Sequence, residues 1–373
     1  SYEKKWTIRE TVKNLELLPG FADFILAGGM FKENMQLYSH QVAALQTVKT
    51  QKNLVVTTGT GSGKTECFLL PLLYNIFAEK NGNTENPRVM RSLILYPLNA
   101  LVEDQMVRLR KALNSEAAQD VLHSQCHDNL IYFGRYTGRT PKDTNDGKKL
   151  REDWSTFKKP QEDNAEKTAD LEFHTVNTDP ESAELWHRKQ MQETPPDILI
   201  TNYSMLNIMM MRKQENDIFE ETRKWLQKED SVFSLVLDEM HSYRGTAGTE
   251  VAYLIRLLLH RLGLTPDSSK FRFLCTSASM NDPEKYLADF FGLNEDFIRS
   301  KVEIIKEPER KLEPVDRISE EFMADLNNLT SKKLSYIENC FRRAMFDGEK
   351  VVARPAEDIE NKLFPWADDK REC

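Results

Sequence analysis

Cysteine is scarce. The five residues, Cys67, Cys126, Cys275, Cys340 and Cys373, are odd in number, scattered and without a CxxC pair. That excludes a disulfide framework and a cysteine zinc site, and it fits a reducing cytosol. Long apolar runs are missing: none approaches the roughly 18 residues of a membrane span, and the opening SYEKKWTIRE has no signal-peptide order, so no membrane partner is expected. An excess of positive charge is also missing. With 51 Lys and Arg against 59 Asp and Glu, the net charge is -8, which excludes a uniformly basic nucleic-acid coat but leaves room for a local basic groove. No internal repeat is present. The lack of an initiator Met and the ending WADDKREC suggest a piece of a longer protein. What remains is a 373-residue chain, 40% hydrophobic and 29% charged, enough for a real core and more than one typical domain.

Residues 53–73, NLVVTTGTGSGKTECFLLPLL, place an apolar strand before glycines, hydroxyls and a lysine, and an apolar helical pattern after them. Such a turn leaves successive backbone N–H groups pointing into a concavity, glycines admit close approach, and the helix N-terminus adds positive potential. That concavity suits a polyphosphate. Thr60, Gly61, Ser62, Gly63, Lys64 and Thr65 are its candidate lining, with Thr58 where the strict Walker pattern has glycine.

RSLILYP, a stretch within NLIYFGRYTG, DILITNYSML, VFSLVLDEMH and FRFLCTSASM read as further strands, and LYSHQVAALQTVK and NALVEDQMVRLRKAL as helices. Strands alternating with helices predict an α/β fold, a mostly parallel sheet flanked by helices with ligand groups at its carboxyl edge. Residues 141–193 break the pattern: 142–193 hold 9 basic and 13 acidic side chains, a charged insertion. After about residue 297, KVEIIKEPERKLEPVDRISEEFMADLNNL reads as a linker into a helical tail. The expected domains are 1–36, an extension; 37–296, the nucleotide-binding unit; and 297–373, linker and tail.

Asp238 and Glu239 end the strand LVLDEMH, where a P-loop protein needs an acidic pair. Mg²⁺ on a nucleotide keeps several waters, so one hydroxyl (Thr65) and one carboxylate (Asp238) suffice as protein donors. Glu239 is left to orient the attacking water, and Lys64 to sit on the β- and γ-phosphates. HSQCH, residues 123–127, offers three close donors without a fourth, which reads as loop and not as a zinc site.

These motifs, in this order, resemble the first RecA-like domain of superfamily 2 DExH-box helicases. DEMH looks like the DExH box, with His241 its histidine; Gln41 in LYSHQ resembles the adenine-reading glutamine; YPLNALVEDQ resembles motif Ia. YTGRTP and TNYSML resemble strand-contacting motifs, and TSAS stands where motif III usually reads Ser-Ala-Thr, so that Ser277 and Ser279 are expected to hydrogen-bond His241 and couple the two sites. The continuation DEMHSYRGTAGTEVAYLIRLLLHRLG is similar to MrfA-type DNA repair helicases, with DISARM-type phage-defence helicases related. The resemblance implies ATP and Mg²⁺ as cofactors, 3′ to 5′ movement on DNA that is single-stranded or partly duplex, a second RecA-like domain, and repair or defence complexes as partners.

A helicase grips the sugar-phosphate backbone through loops at the sheet edge. The candidates are Pro97, Asn99 and Ala100; Gly138, Arg139 and Thr140; Thr201 and Asn202; and Arg244 with Gly245. Plain alternatives stand beside them: Asn99 and Thr201 as N-caps, Arg139 as a solvated charge. The rivals for the whole chain are a nucleotide-switched subunit that binds nucleic acid or a partner without unwinding, and an RNA helicase.

Overall fold

Five-residue apolar runs buried along their whole length need cover on both faces, and here helices supply it. The structure, a computed structural model, describes residues 3–306 except 60, 86, 144–172, 174, 175, 178–180, 244, 279 and 281, together with 346, 347, 350 and 351. Residues 1–307 form one unit and 308–373 another.

The first unit is built on a sheet of β3 (Asn53–Thr57), β4 (Ser92–Tyr96), β5 (Phe133–Arg135), β6 (Glu184–Leu185), β7 (Ile198–Asn202), β8 (Phe233–Leu237), β9 (Phe271–Ser277) and β10 (Val302–Lys306). Their spatial order is β10-β3-β9-β8-β4-β7-β5-β6, and every pairing is parallel. A small antiparallel pair, β1 (Lys4–Thr7) with β2 (Gln36–Tyr38), stands apart from it. In the second unit the described residues are the antiparallel pair β11 (Phe346–Asp347) and β12 (Lys350–Val351).

Alternation along each strand divides the core. Leu54, Val56, Ile94, Ile200, Val236 and Leu274 enter one cluster, with Phe68, Phe77 and the helix Lys64–Gly82. Val55, Leu93, Leu95, Leu235, Leu237 and Phe273 enter the other, under the helices Tyr203–Met211, Gly245–Leu262 and Pro283–Phe291. The N-terminal residues read as an extension join the first cluster: the rings of Phe24 and Phe77 stack at 5.7 Å, and Phe21 meets Tyr74 edge-on at 5.1 Å. Each such buried aromatic ring contributes on the order of 2 to 3 kcal/mol of transfer free energy.

Two elements differ from expectation. Residues 302–306, placed in the linker, form the edge strand β10, paired from Val302↔Asn53 to Lys306↔Thr57 and clamped by Lys52 Nζ to Glu303 Oε2 at 3.1 Å. Its alternation is short and ringed by charges, yet Ile304 and Ile305 pack into opposite cores. The charged stretch 141–193 lies largely outside the described residues, but its end supplies β6 and the helix Arg188–Glu193. Glu184 on β6 accepts two hydrogen bonds from buried Arg110, at 2.8 and 2.7 Å, which fastens this edge to the helix Asn99–Asn114.

Candidate active site

Strand order places the candidate chemistry. β9 lies between β3 and β8, so the loop after β3, the acidic pair after β8 and Ser277 at the end of β9 converge at one carboxyl edge. β4, β7 and β5 continue that edge on the far side of β8 and carry the other candidate loops.

After β3 the chain turns through Gly61 at φ 75° and Gly63 at φ 76°, left-handed values that favour glycine, and the helix begins at Lys64. A side chain at Gly63 would also collide with Gln41 Nε2. Thr58 has a task that its departure from the Walker pattern hides: its hydroxyl hydrogen-bonds that of Ser62 at 2.7 Å, across the base of the loop, with both side chains fully buried. Lys64 is 8% exposed, and among the described residues its ammonium makes no hydrogen bond, lying 3.9 Å from Glu239 Oε1. A buried ammonium with its donors unspent is costly unless an anion completes it.

Asp238 is 8% exposed. Thr276 Oγ1 donates to its Oδ1, and the backbone N–H of Glu239 donates to the same oxygen at 3.0 Å. Burial holds the Asp238 carboxyl above its ordinary range, with the Thr276 hydrogen bond opposing. Glu239 sits at φ 52°, a left-handed backbone that costs a non-glycine residue about 1 kcal/mol and aims its carboxylate between Lys64 and His241. His241 Nδ1 lies 3.2 Å from Glu239 Oε2 and 3.3 Å from the backbone N of Ala278. It can donate to the first or accept from the second, so one ring nitrogen joins the acidic pair to the end of β9.

Several expectations are corrected. Ser277 is fully buried, its hydroxyl has no hydrogen-bond partner among the described residues, and the partner His241 finds on this segment is the Ala278 amide, because the serine lies within the strand. Gln41 is already engaged within the protein: its Oε1 accepts from the Tyr38 amide at 2.9 Å and its Nε2 donates to the Gly63 carbonyl at 3.2 Å, which leaves one lone pair and one N–H of the carboxamide for a base. Thr140 and Thr201 are 1% and 0% exposed. Thr140 Oγ1 donates to the Arg135 carbonyl at 2.7 Å and Thr201 Oγ1 to the Tyr136 carbonyl at 2.6 Å, so these hydroxyls build loops and offer nothing to a ligand. Thr201 is not an N-cap; that role belongs to Asn202, whose Oδ1 accepts from the Met205 amide at 2.8 Å. Asn202 Nδ2 also donates to Asn99 Oδ1 at 2.5 Å, which joins two of the candidate loops. Gly138, Arg139 and Asn99 are exposed and Pro97 half-buried, and Gly245 opens its helix at φ 62°. Thr60, Arg244, Ser279 and the side chain of Ala100 lie outside the described residues. Of the HSQCH residues, His123 pairs with Asp128 at 3.3 Å, and burial pushes the Cys126 thiol up to about 11.

Two residues escaped the sequence reading. Thr276, which donates to Asp238, is the first residue of TSAS, but nothing in that motif marks it as the partner of the acid at the end of β8. Arg188 lies near the end of the charged insertion, and its Nη2 donates to the Thr137 and Gly138 carbonyls at 2.8 and 3.3 Å, pinning the YTGR loop from about 50 residues further along the chain.

Residues 38–140 match the family model "DEAD/DEAH box helicase". The chain is 36% identical, over 69% of its length and 17% of the relative's, to the Druantia protein DruE of Escherichia coli. It is 22% identical, over 72% of its length and 18% of the relative's, to the ATP-dependent helicase HRQ1 of Saccharomyces cerevisiae. Among solved structures, the Mycobacterium smegmatis helicase Lhr bound to ssDNA and AMP-PNP has the same fold, with a TM-score of 0.50 at 18% identity over 88% of this chain and 32% of that one. The DUF1998 helicase MrfA bound to DNA aligns with a TM-score of 0.49 at 21% identity, over 82% of this chain and 29% of that one.

Proposed function

We propose that this chain, which carries a DEAD/DEAH box helicase domain of superfamily 2, is the ATP-binding half of a nucleic-acid motor: it binds ATP–Mg²⁺ at the loop after β3 and grips single-stranded DNA along the loops after β4, β5 and β7. The observation that carries this reading is the buried ammonium of Lys64, which lies beside Glu239 and makes no hydrogen bond among the described residues. Lys64 accepts the β- and γ-phosphates, and the amides of residues 61–65 close around the phosphate oxygens. Thr65 and Asp238 fit a Mg²⁺ ion by chemistry, one hydroxyl and one carboxylate, and a bound ion would offset the charge on the transferring phosphoryl group. Glu239 holds the attacking water and takes up its proton, while Lys64 faces the negative charge as it grows. His241 passes the state of Glu239 to the end of β9 through the Ala278 amide.

DNA is favoured over RNA by the structural neighbour Lhr, whose title names ssDNA, and a repair or defence setting follows from the resemblance of the sequence motifs to MrfA-type and DISARM-type helicases. The test separates binding from chemistry. Lys64→Ala should weaken ATP–Mg²⁺ affinity at least about 10-fold, whereas Glu239→Gln should bind normally and lose hydrolysis by about 10² or more. Titration with labelled ATP and phosphate release measure the two effects, and equal loss of binding in both variants refutes the assignment.

A further inference from the structure

Two consecutive residues hold the phosphate loop from outside. His40 Nε2 lies 2.7 Å from the carbonyl oxygen of Ser62, and Gln41 Nε2 donates to the carbonyl oxygen of Gly63 at 3.2 Å. Both belong to the first turn of the helix Ser39–Thr50, and they are only 6% and 4% exposed. A carbonyl oxygen only accepts, so the proton of His40 is on Nε2. The imidazole is itself held flat against Tyr38, ring to ring at 5.4 Å and 9°.

In a trans peptide the C=O and the N–H point to opposite sides. Tying the Ser62 carbonyl to His40 therefore turns the Gly63 N–H away from that helix, and tying the Gly63 carbonyl to Gln41 turns the Lys64 N–H the same way. These are the amides an anion in the loop would meet. Gly61 and Gly63 both occupy left-handed backbone, where glycine has little preference of its own, so the loop needs an outside contact to choose one peptide orientation. The two tethers are not equivalent. If Gln41 turns to a base it gives up Gly63, and the His40 tether remains.

We propose that His40 is a positioning residue for phosphate binding, its Nε2–H fixing the Ser62–Gly63 peptide so that the Gly63 N–H faces the phosphates. The inference rests on the nucleotide-binding reading above. It is tested on the 373-residue chain with His40→Ala, His40→Asn and His40→Gln. Glutamine puts a donor nitrogen about where Nε2 stands; asparagine does not reach. Titration with labelled ATP–Mg²⁺ should show affinity about 5- to 10-fold weaker for the Ala and Asn variants, the size of one net hydrogen bond, and within about 2-fold of wild type for Gln. Adenosine, which has no phosphate, should bind all four proteins equally. Equal ATP affinity in all four, an equal loss in all three variants that tracks a lowered Tm, or an equal loss for adenosine would each overturn the proposal. Absence of ATP binding by the wild type would instead overturn the nucleotide reading, and this inference with it.

Discussion

Asp238 is held at a cost that its proposed role explains. Its folded-state pKa lies above the unfolded carboxylate value of about 3.9, chiefly because of burial. A raised carboxyl contributes stability that is full below the unfolded pKa and is lost as pH rises through the folded one, so at neutral pH the ionised group works against the ligand-free fold. Asp238→Asn keeps an acceptor for the Thr276 hydroxyl and removes the charge. It should raise Tm at pH 7 by roughly 2 to 4 °C per kcal/mol relieved, and abolish Mg²⁺-dependent hydrolysis. The gain should shrink as the pH is lowered toward 4. Scanning calorimetry across that range checks it, and a lower Tm at pH 7 would mean that attraction to Lys64 outweighs burial.

Between elements, one contact with much at stake is the forked pair that joins the helix Asn99–Asn114 to β6. Arg110 and Glu184 are both buried, and two hydrogen bonds connect them. Glu184→Ala leaves a guanidinium buried without its anion and should cost about 3 to 5 kcal/mol, read from urea unfolding. Replacing both residues by methionine should cost much less, because no charge is then stranded. The same comparison explains what the sequence hid. Glu184 and Arg110 are separated by 74 residues, and nothing in a charged stretch marks one acid as buried. β10 was hidden for a related reason: five residues ending in lysine look like solvated linker until Asn53 to Thr57 supply the ladder.

At the scale of the molecule, the chain spans 17% and 18% of the length of the two curated relatives described above. P-loop motors commonly answer the charge on the transferring phosphoryl group with an arginine finger worth about 10³ to 10⁵ in rate. After Met280 no segment resembles QxxGRxGR, and Arg342 and Arg343 in CFRRAMFDGEK lack the glutamine and glycines of that pattern and lie outside the described residues. This chain alone should therefore bind ATP–Mg²⁺, hydrolyse it at least about 10³-fold below a complete motor, and fail to unwind DNA. Phosphate release with and without single-stranded DNA measures it. Robust DNA-stimulated turnover would mean that Arg342 or Arg343 acts as the finger, or that copies supply one to each other.

The sequence by itself determined the elements that rest on local chemistry. Glycines flanked by a strand and a helix, an acidic pair at a strand end and apolar runs of five residues each specify backbone geometry or burial within a few neighbours, and Gly61, Gly63, Lys64, Asp238 and Glu239 stand where that chemistry puts them. Only the tertiary structure decided which polar groups are spent inside the protein. Thr201, Gln41 and Ser277 have the right residue types for contact with a ligand, but their partners or their burial come from segments distant in sequence, and Thr140 is turned into its own loop by a fold of the chain that no local pattern announces. The strand order β3-β9-β8-β4-β7-β5, which sets the phosphate loop and the acidic pair on one stretch of the edge and the loops proposed for DNA on the next, was likewise undecided by any local pattern. Parallel strands joined by helices can be laid down in several orders with the same apolar runs, and the order is chosen by how the whole set of helices covers both faces.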